Sequence, residues 1–183
     1  MRTVVLVEGT SDAAAIDRLA VRKGRDLEVE GICIVPLGGA TSIGRFMALF
    51  VQQELDVKLA GLCDVGEEEY FRRALERAGV GFRLTRQDMA GLGFHVCVAD
   101  LEDELIRAHG VASVQDVIEA QGEMRSFCTF QLQPAQRDRS PEQQLHRFMG
   151  THSGRKLQYA DALVESLDLD RVPEPLDRLL ADI

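Results

Sequence analysis

A chain of 183 residues, 45% hydrophobic and 28% charged, reads as globular, with room for one good core or one domain with a small appendage. Its net charge of −9 argues against a protein that simply coats nucleic acid, because such proteins neutralise phosphates with Lys and Arg. No apolar run approaches the ~20 residues that span a bilayer, and Glu8 and Asp12 interrupt the N-terminus too early for a signal peptide, so a cytoplasmic protein with no membrane partner is expected.

In chain order, residues 3–7 form a valine-rich apolar run, and residues 11–23 follow with helical spacing at Ala15, Ile16, Leu19 and Ala20. Residues 32–36 (ICIVP) are strand-like. Residues 42–54 are helical, with Ile43, Phe46, Met47, Phe50 and Val51 on one face. Residues 58–63 (KLAGLC) give a third strand and 67–78 a third helix. Residues 94–99 (FHVCVA) give a fourth strand and 101–108 a fourth helix. Strand–helix alternation with continuously apolar strands predicts an α/β fold, a parallel sheet covered on both faces. Right-handed crossovers then bring every strand's C-terminal end to one edge, where open α/β sheets keep their sites.

After Gly110 the strand signals fade. Residues 111–121, 141–149, 157–167 and 175–183 look helical, with breaks near 133–140 and 172–175. Residues 1–110 are therefore expected to form the α/β domain, and 111–183 a helical extension packed on it. The four cysteines show no C-x-x-C pair and no zinc-type spacing. Cys33, Cys63, Cys97 and Cys128 read as buried reduced thiols, and the four histidines, His146 among them, as ordinary surface or core residues.

The chemistry lies at the strand tips. Strand one ends at Glu8, with Asp12 just inside the next helix. Strand three ends at Asp64, followed by Glu67 and Glu68, and strand four at Asp100, followed by Glu102. Acids in a first helical turn serve as caps and complement the macrodipole, which suffices for Asp12, Glu67 and Glu68. Glu8, Asp64 and Asp100 are different, because each directly follows an apolar strand. Like charges converging on one edge call for a cation, and a hard divalent ion takes oxygen ligands. The glycine-rich turn after strand two, GGATSIGRF, lacks the lysine and Ser/Thr of a P-loop, so ATP hydrolysis is rejected.

Taken together, VLVEGTSD, VPLGGA, GLCDVGEE and VADLEDEL resemble a TOPRIM domain, most nearly the nuclease half of the OLD family. The resemblance implies a Rossmann-like TOPRIM fold with a central, mostly parallel four-stranded sheet between helices and a C-terminal helical extension. It implies that Glu8 and Asp12 match the first acidic motif and Asp64 the first acid of D-x-D. Asp100 and Glu102 match S-x-E, with Asp in place of Ser. Lys156, in SGRKLQYADAL, matches a late lysine, with Arg155 adjacent. Gly66 stands where a second acid of D-x-D is expected, so Glu67, Glu68 or Asp100 would have to supply that oxygen.

The resemblance further implies a metal-dependent endonuclease, a hydrolase of phosphodiester bonds, using one or two Mg²⁺ or Mn²⁺ ions on nucleic acid, DNA in the first place. Glu8 would be ligand or general acid–base and Lys156 would offset phosphate charge. Arg139, Arg147 and Arg155 would guide the backbone, in keeping with a local balance of +3 over residues 137–156, five basic side chains against two acidic ones. With no P-loop, an ATPase would act in trans, and a homodimer through the helical tail is a second arrangement left open. The alternative is a catalytically weakened TOPRIM module that holds metal or nucleic acid within a larger complex. Strand transfer of the topoisomerase kind would need a nucleophilic tyrosine, whereas Tyr70 and Tyr159 read better as packed aromatics.

Overall fold

The computed structural model describes residues 2–52, 57–152 and 154–183. Four strands, β1 (Arg2–Val7), β2 (Ile32–Pro36), β3 (Val57–Cys63) and β4 (Phe94–Val96), make one wholly parallel sheet in the order β2-β1-β3-β4. The central strand explains why its sequence is apolar at every position. Val5 and Val7 point into one core cluster and Val4 and Leu6 into the other, so neither face meets water.

One face is covered by α2 (Ile43–Gln52), α3 (Glu68–Arg77) and the short α4 (Arg86–Gly91), through Ile43, Met47, Phe71, Leu75 and Met89. Gly61 in β3 belongs to this packing: a Cβ there would stand 2.8 Å from both the Leu6 carbonyl oxygen and the Phe94 ring. The other face is covered by α1 (Thr10–Arg22), α5 (Leu101–His109) and the helices that follow. These are α6 (Val111–Ala120), α7 (Met124–Gln131), α8 (Pro141–Met149), α9 (Arg155–Ser166) and α10 (Glu174–Asp182). Ile16 and Leu19 of α1 share a single apolar cluster with Leu163 of α9 and Leu179 of α10. Burial on this scale, at about 25 cal/mol per Å² of apolar surface, ties the helical tail to the sheet.

The fold is α/β, as the alternation of elements predicts, with local departures. β4 stops at Val96 instead of running to 99, because the Val98 amide is captured at 2.7 Å by Glu104 Oε1 from α5. The short α4 was not anticipated, since only Met89 of its six residues is buried. α7 was not anticipated either, and it pairs Phe127 with Phe130 on its inner side, which leaves Cys128 exposed. Cys33 is exposed too, so only Cys63 and Cys97 are buried thiols. Residues 53–54 of the helix predicted over 42–54, and the side chain of Val51, lie outside the described residues. Among the described residues no helix is long and apolar enough to cross a membrane.

Candidate metal centre

The chain turns sharply at the β1 tip. Gly9 caps α1, and its amide donates to Asp12 Oδ2 at 2.7 Å, so one oxygen of Asp12 does serve as a cap. The β2 tip closes over it. Gly38 and Gly39 both take positive φ, +70° and +123°, and the Gly39 amide donates to the Glu8 carbonyl oxygen at 3.1 Å. This turn leaves Glu8 facing a cleft of about 530 Å³ lined also by Asp12, Asp64, Glu102 and Lys156. Glu8 Oε2 is buried and accepts no hydrogen bond.

The β4 tip contributes from a helix start. Asp100 caps α5, its Oδ1 accepting from the Asp103 amide at 2.8 Å, while its Oδ2 lies 2.6 Å from His146 Nε2. Leu145, Phe148 and Met149 bury the apolar side of α8, and His146, on the flank of that side, reaches back to Asp100. Glu102 is only 3% exposed. Lys156 Nζ lies 3.2 Å from each Glu102 oxygen and donates to Oε2, leaving Oε1 without a hydrogen bond.

Electrostatics follow from this crowding. Burial, then the charges of Asp12 and Glu8, push the Asp64 carboxyl up to about 7. Burial likewise pushes Asp12 up to about 6 against the pull of the Gly9 amide, and it raises Glu8, helped by Glu67. Asp100 goes the other way: burial opposes ionisation, but the His146 and Asp103 hydrogen bonds outweigh it and lower its value. His146 is raised in return by that same hydrogen bond. Lys156 loses by burial and gains more from Glu102, so it stays charged.

The donor set fits a divalent cation. Acids held above their usual range and buried carboxylate oxygens that accept no hydrogen bond are what a hard ion relieves. Asp100, Glu102 and His146 bring one ligand atom each to within 4.8 Å of one another, and they are the only such group among the described residues. Glu8, Asp12 and Asp64 surround the same space without closing to that range.

Comparison with known proteins agrees with the layout. Residues 1–65 match the family model "Overcoming lysogenization defect protein-like, TOPRIM domain". The fold matches the C-terminal region of the Burkholderia pseudomallei OLD protein at a TM-score of 0.74 and 20% identity, covering 98% of this chain and 95% of that one. It matches the C-terminal region of the Xanthomonas campestris pv. campestris OLD protein at a TM-score of 0.74 and 22% identity, covering 100% and 91%. Residues 1–65 are similar to an OLD-type TOPRIM domain, and the fold of the whole chain is that of the OLD C-terminal regions. No curated protein matches it by sequence.

The cleft does not gather every residue that the sequence singled out. Glu67 stays close enough to raise Glu8, but Glu68 turns away to pair with Arg86. Arg155 is not available to a nucleic acid, in contrast to the expectation. It is buried, bonded to Glu123 Oε1 at 2.7 Å and to Thr151 Oγ1 at 2.7 Å, and stacked 4.1 Å from the Phe148 ring centroid. Arg139 donates to the Ala135 carbonyl oxygen, and Arg147 is exposed on α8. Tyr159 is a packed aromatic donating to Glu123 Oε2, whereas Tyr70 is 47% exposed on α3, contrary to its reading as packed. His146 was missed altogether, since nothing in its spacing sets it apart. A larger cleft, of about 790 Å³, opens beside β4, but its Arg86, Arg107 and Arg178 are already paired with Glu68, Glu104 and Glu174.

Proposed function

We propose that this chain is a divalent-metal-dependent nuclease that hydrolyses phosphodiester bonds, with DNA as the favoured substrate. One observation carries the reading: a cleft at the sheet's C-terminal edge where Glu8, Asp12, Asp64 and Glu102 meet a single lysine, with two buried carboxylate oxygens left unbonded. Asp100, Glu102 and His146 would hold one cation, with Glu8, Asp12 and Asp64 facing it across the cleft. A bound divalent ion supplies Lewis-acid polarisation of the phosphoryl group and charge for the attacking and leaving oxygens.

The chain's own residues do the rest. Glu8, its carboxyl raised by burial and by Glu67, is suited to take a proton from the attacking water or return one to the leaving oxygen. Lys156, kept charged beside Glu102, offsets the negative charge that builds on the phosphate in the transition state. Arg147, exposed on α8 beside His146, positions the phosphate backbone without reading sequence. Gly38 and Gly39 of the β2 turn line the same cleft with no side chain to fill it.

The test is a plasmid-nicking assay with Mg²⁺ or Mn²⁺, comparing the wild type with Glu8→Gln and Asp64→Asn. Cleavage should fall by at least about 100-fold in each. Cleavage that persists unchanged in either variant, or its absence from the wild type with both ions across DNA and RNA, would overturn the reading.

A further inference from the structure

The trio Asp100, Glu102 and His146 differs in one chemical respect from the rest of the cleft, because it contains a nitrogen donor. We propose that His146 is a direct ligand, through Nε2, and that it makes this seat selective for a first-row transition ion over Mg²⁺. The inference rests on the metal-dependent reading above and deepens it by naming the class of ion.

Three observations support it. His146 Nε2 and Asp100 Oδ2 share a 2.6 Å hydrogen bond that a divalent ion would replace, the two atoms parting slightly to become ligands at about 2.1 Å. Glu102, only 3% exposed, belongs to the same 4.8 Å group, and its Oε1 accepts no hydrogen bond although the Lys156 ammonium lies 3.2 Å away. A buried carboxylate whose two oxygens share one ammonium gains from a further cation on the oxygen that accepts no hydrogen bond. The β3 tip, in turn, offers Asp64 but no acid at position 66, where Gly66 has no side chain and open space around it.

The selectivity follows from donor softness. Mg²⁺ favours carboxylate, carbonyl and water oxygens, holds its waters and demands near-ideal octahedral geometry. Imidazole suits later first-row ions, and affinity for mixed nitrogen–oxygen sites rises from Mn²⁺ onward in the Irving–Williams order. One imidazole beside two carboxylates therefore lowers the standing of Mg²⁺ without excluding it. His146 is positioned to do this because α8 packs against α5, with Leu145 and Phe148 of α8 buried in the core.

The test uses the whole chain, stripped with a chelator and reloaded with Mn²⁺ alone, with no nucleic acid present. Pulsed EPR on protein labelled with ¹⁵N-histidine should show a nitrogen coupling to Mn²⁺. That coupling should vanish in His146→Gln and persist in His152→Gln, a control on an exposed histidine. In competition calorimetry Mn²⁺ should bind roughly 10- to 100-fold more tightly than Mg²⁺, and His146→Gln should remove most of that gap. Circular dichroism of His146→Gln confirms that it folds, and its half-exposed position on α8 makes this the expected result. Manganese binding without nitrogen coupling, coupling that survives in His146→Gln, or equal affinity for the two ions would each overturn the proposal. Cleavage does not enter these readouts, so a failed nicking assay would strike the nuclease reading alone. Absence of any divalent binding would overturn both.

Discussion

Arg155 and Lys156 are neighbours in the first turn of α9, yet they meet opposite surroundings. Arg155 points inward, where Glu123, the Phe148 carbonyl oxygen, Thr151 and the Phe148 ring satisfy its guanidinium. Lys156 points toward the strand tips, where one ammonium faces Glu8, Asp64, Asp100 and Glu102. The first region is matched charge for charge, as a folding core requires. The second sets four carboxylates around one ammonium, an excess of negative charge that the proposed metal site would use.

The comparison breaks most visibly at Lys156. Lys156→Met should lower nicking activity by about 100- to 1,000-fold, while the melting temperature stays within a few degrees of wild type. A large loss of stability with activity retained would place Lys156 among the structural charges. The converse variant is Glu123→Ala. It strips the partner from a buried arginine and from the Tyr159 hydroxyl, and should cost on the order of 2 kcal/mol, about 6 °C in melting temperature. An unchanged melt would show that the matched region stabilises nothing.

The adjacency of these two residues also shows how far the sequence could be read. The tips were legible because apolar runs of the sequence lead directly into Glu8, Asp64 and Asp100, a pattern that a turn does not need, even though β4 itself stops at Val96. The parallel sheet was legible for the same reason, as both faces of β1 are covered. Which of Arg155 and Lys156 would face the cleft was not, since that depends on where α9 begins, and it begins two residues before the apolar spacing starts. His146 was invisible because its partner Asp100 lies 46 residues away, and only the packing of α8 on α5 brings them together. Cys128 read as core because its neighbours Phe127 and Phe130 are, though it occupies the other side of α7.

A smaller effect should appear in pH dependence. Asp64 and Asp12 titrate near 7 and 6 in the fold, above their unfolded values, so the native state binds their protons more tightly. Their contribution to stability is full below about pH 4 and is lost as pH rises to about 7. His146, also raised, loses its contribution as pH climbs past its own value. Asp100, lowered, contributes above its unfolded value and loses that contribution only in stronger acid. Chelator-treated protein should therefore melt progressively lower from pH 5 to pH 8, and Mn²⁺ should reverse the trend at the alkaline end. Asp64→Asn should flatten the metal-free slope and raise the pH 8 melting temperature by about 3 °C. Parallel slopes for variant and wild type would show that Asp64 ionises freely.

The smallest effect is expected at Gly66. A side chain there meets nothing within 4 Å, so Gly66→Asp should change stability by less than about 0.5 kcal/mol. It should raise affinity for Mg²⁺ a few-fold in calorimetry, by adding an oxygen beside Asp64. An unchanged titration would mean that position 66 faces away from the cleft.

The most direct measurement is a crystal of this chain soaked in Mn²⁺ and examined by anomalous diffraction. The account predicts a peak between Asp100, Glu102 and His146, within coordination distance of Glu102 Oε1 and His146 Nε2, with any second peak lying toward Glu8 and Asp64. An empty cleft at saturating Mn²⁺, or an ion bound only outside it, would contradict the assignment of these carboxylates to a metal.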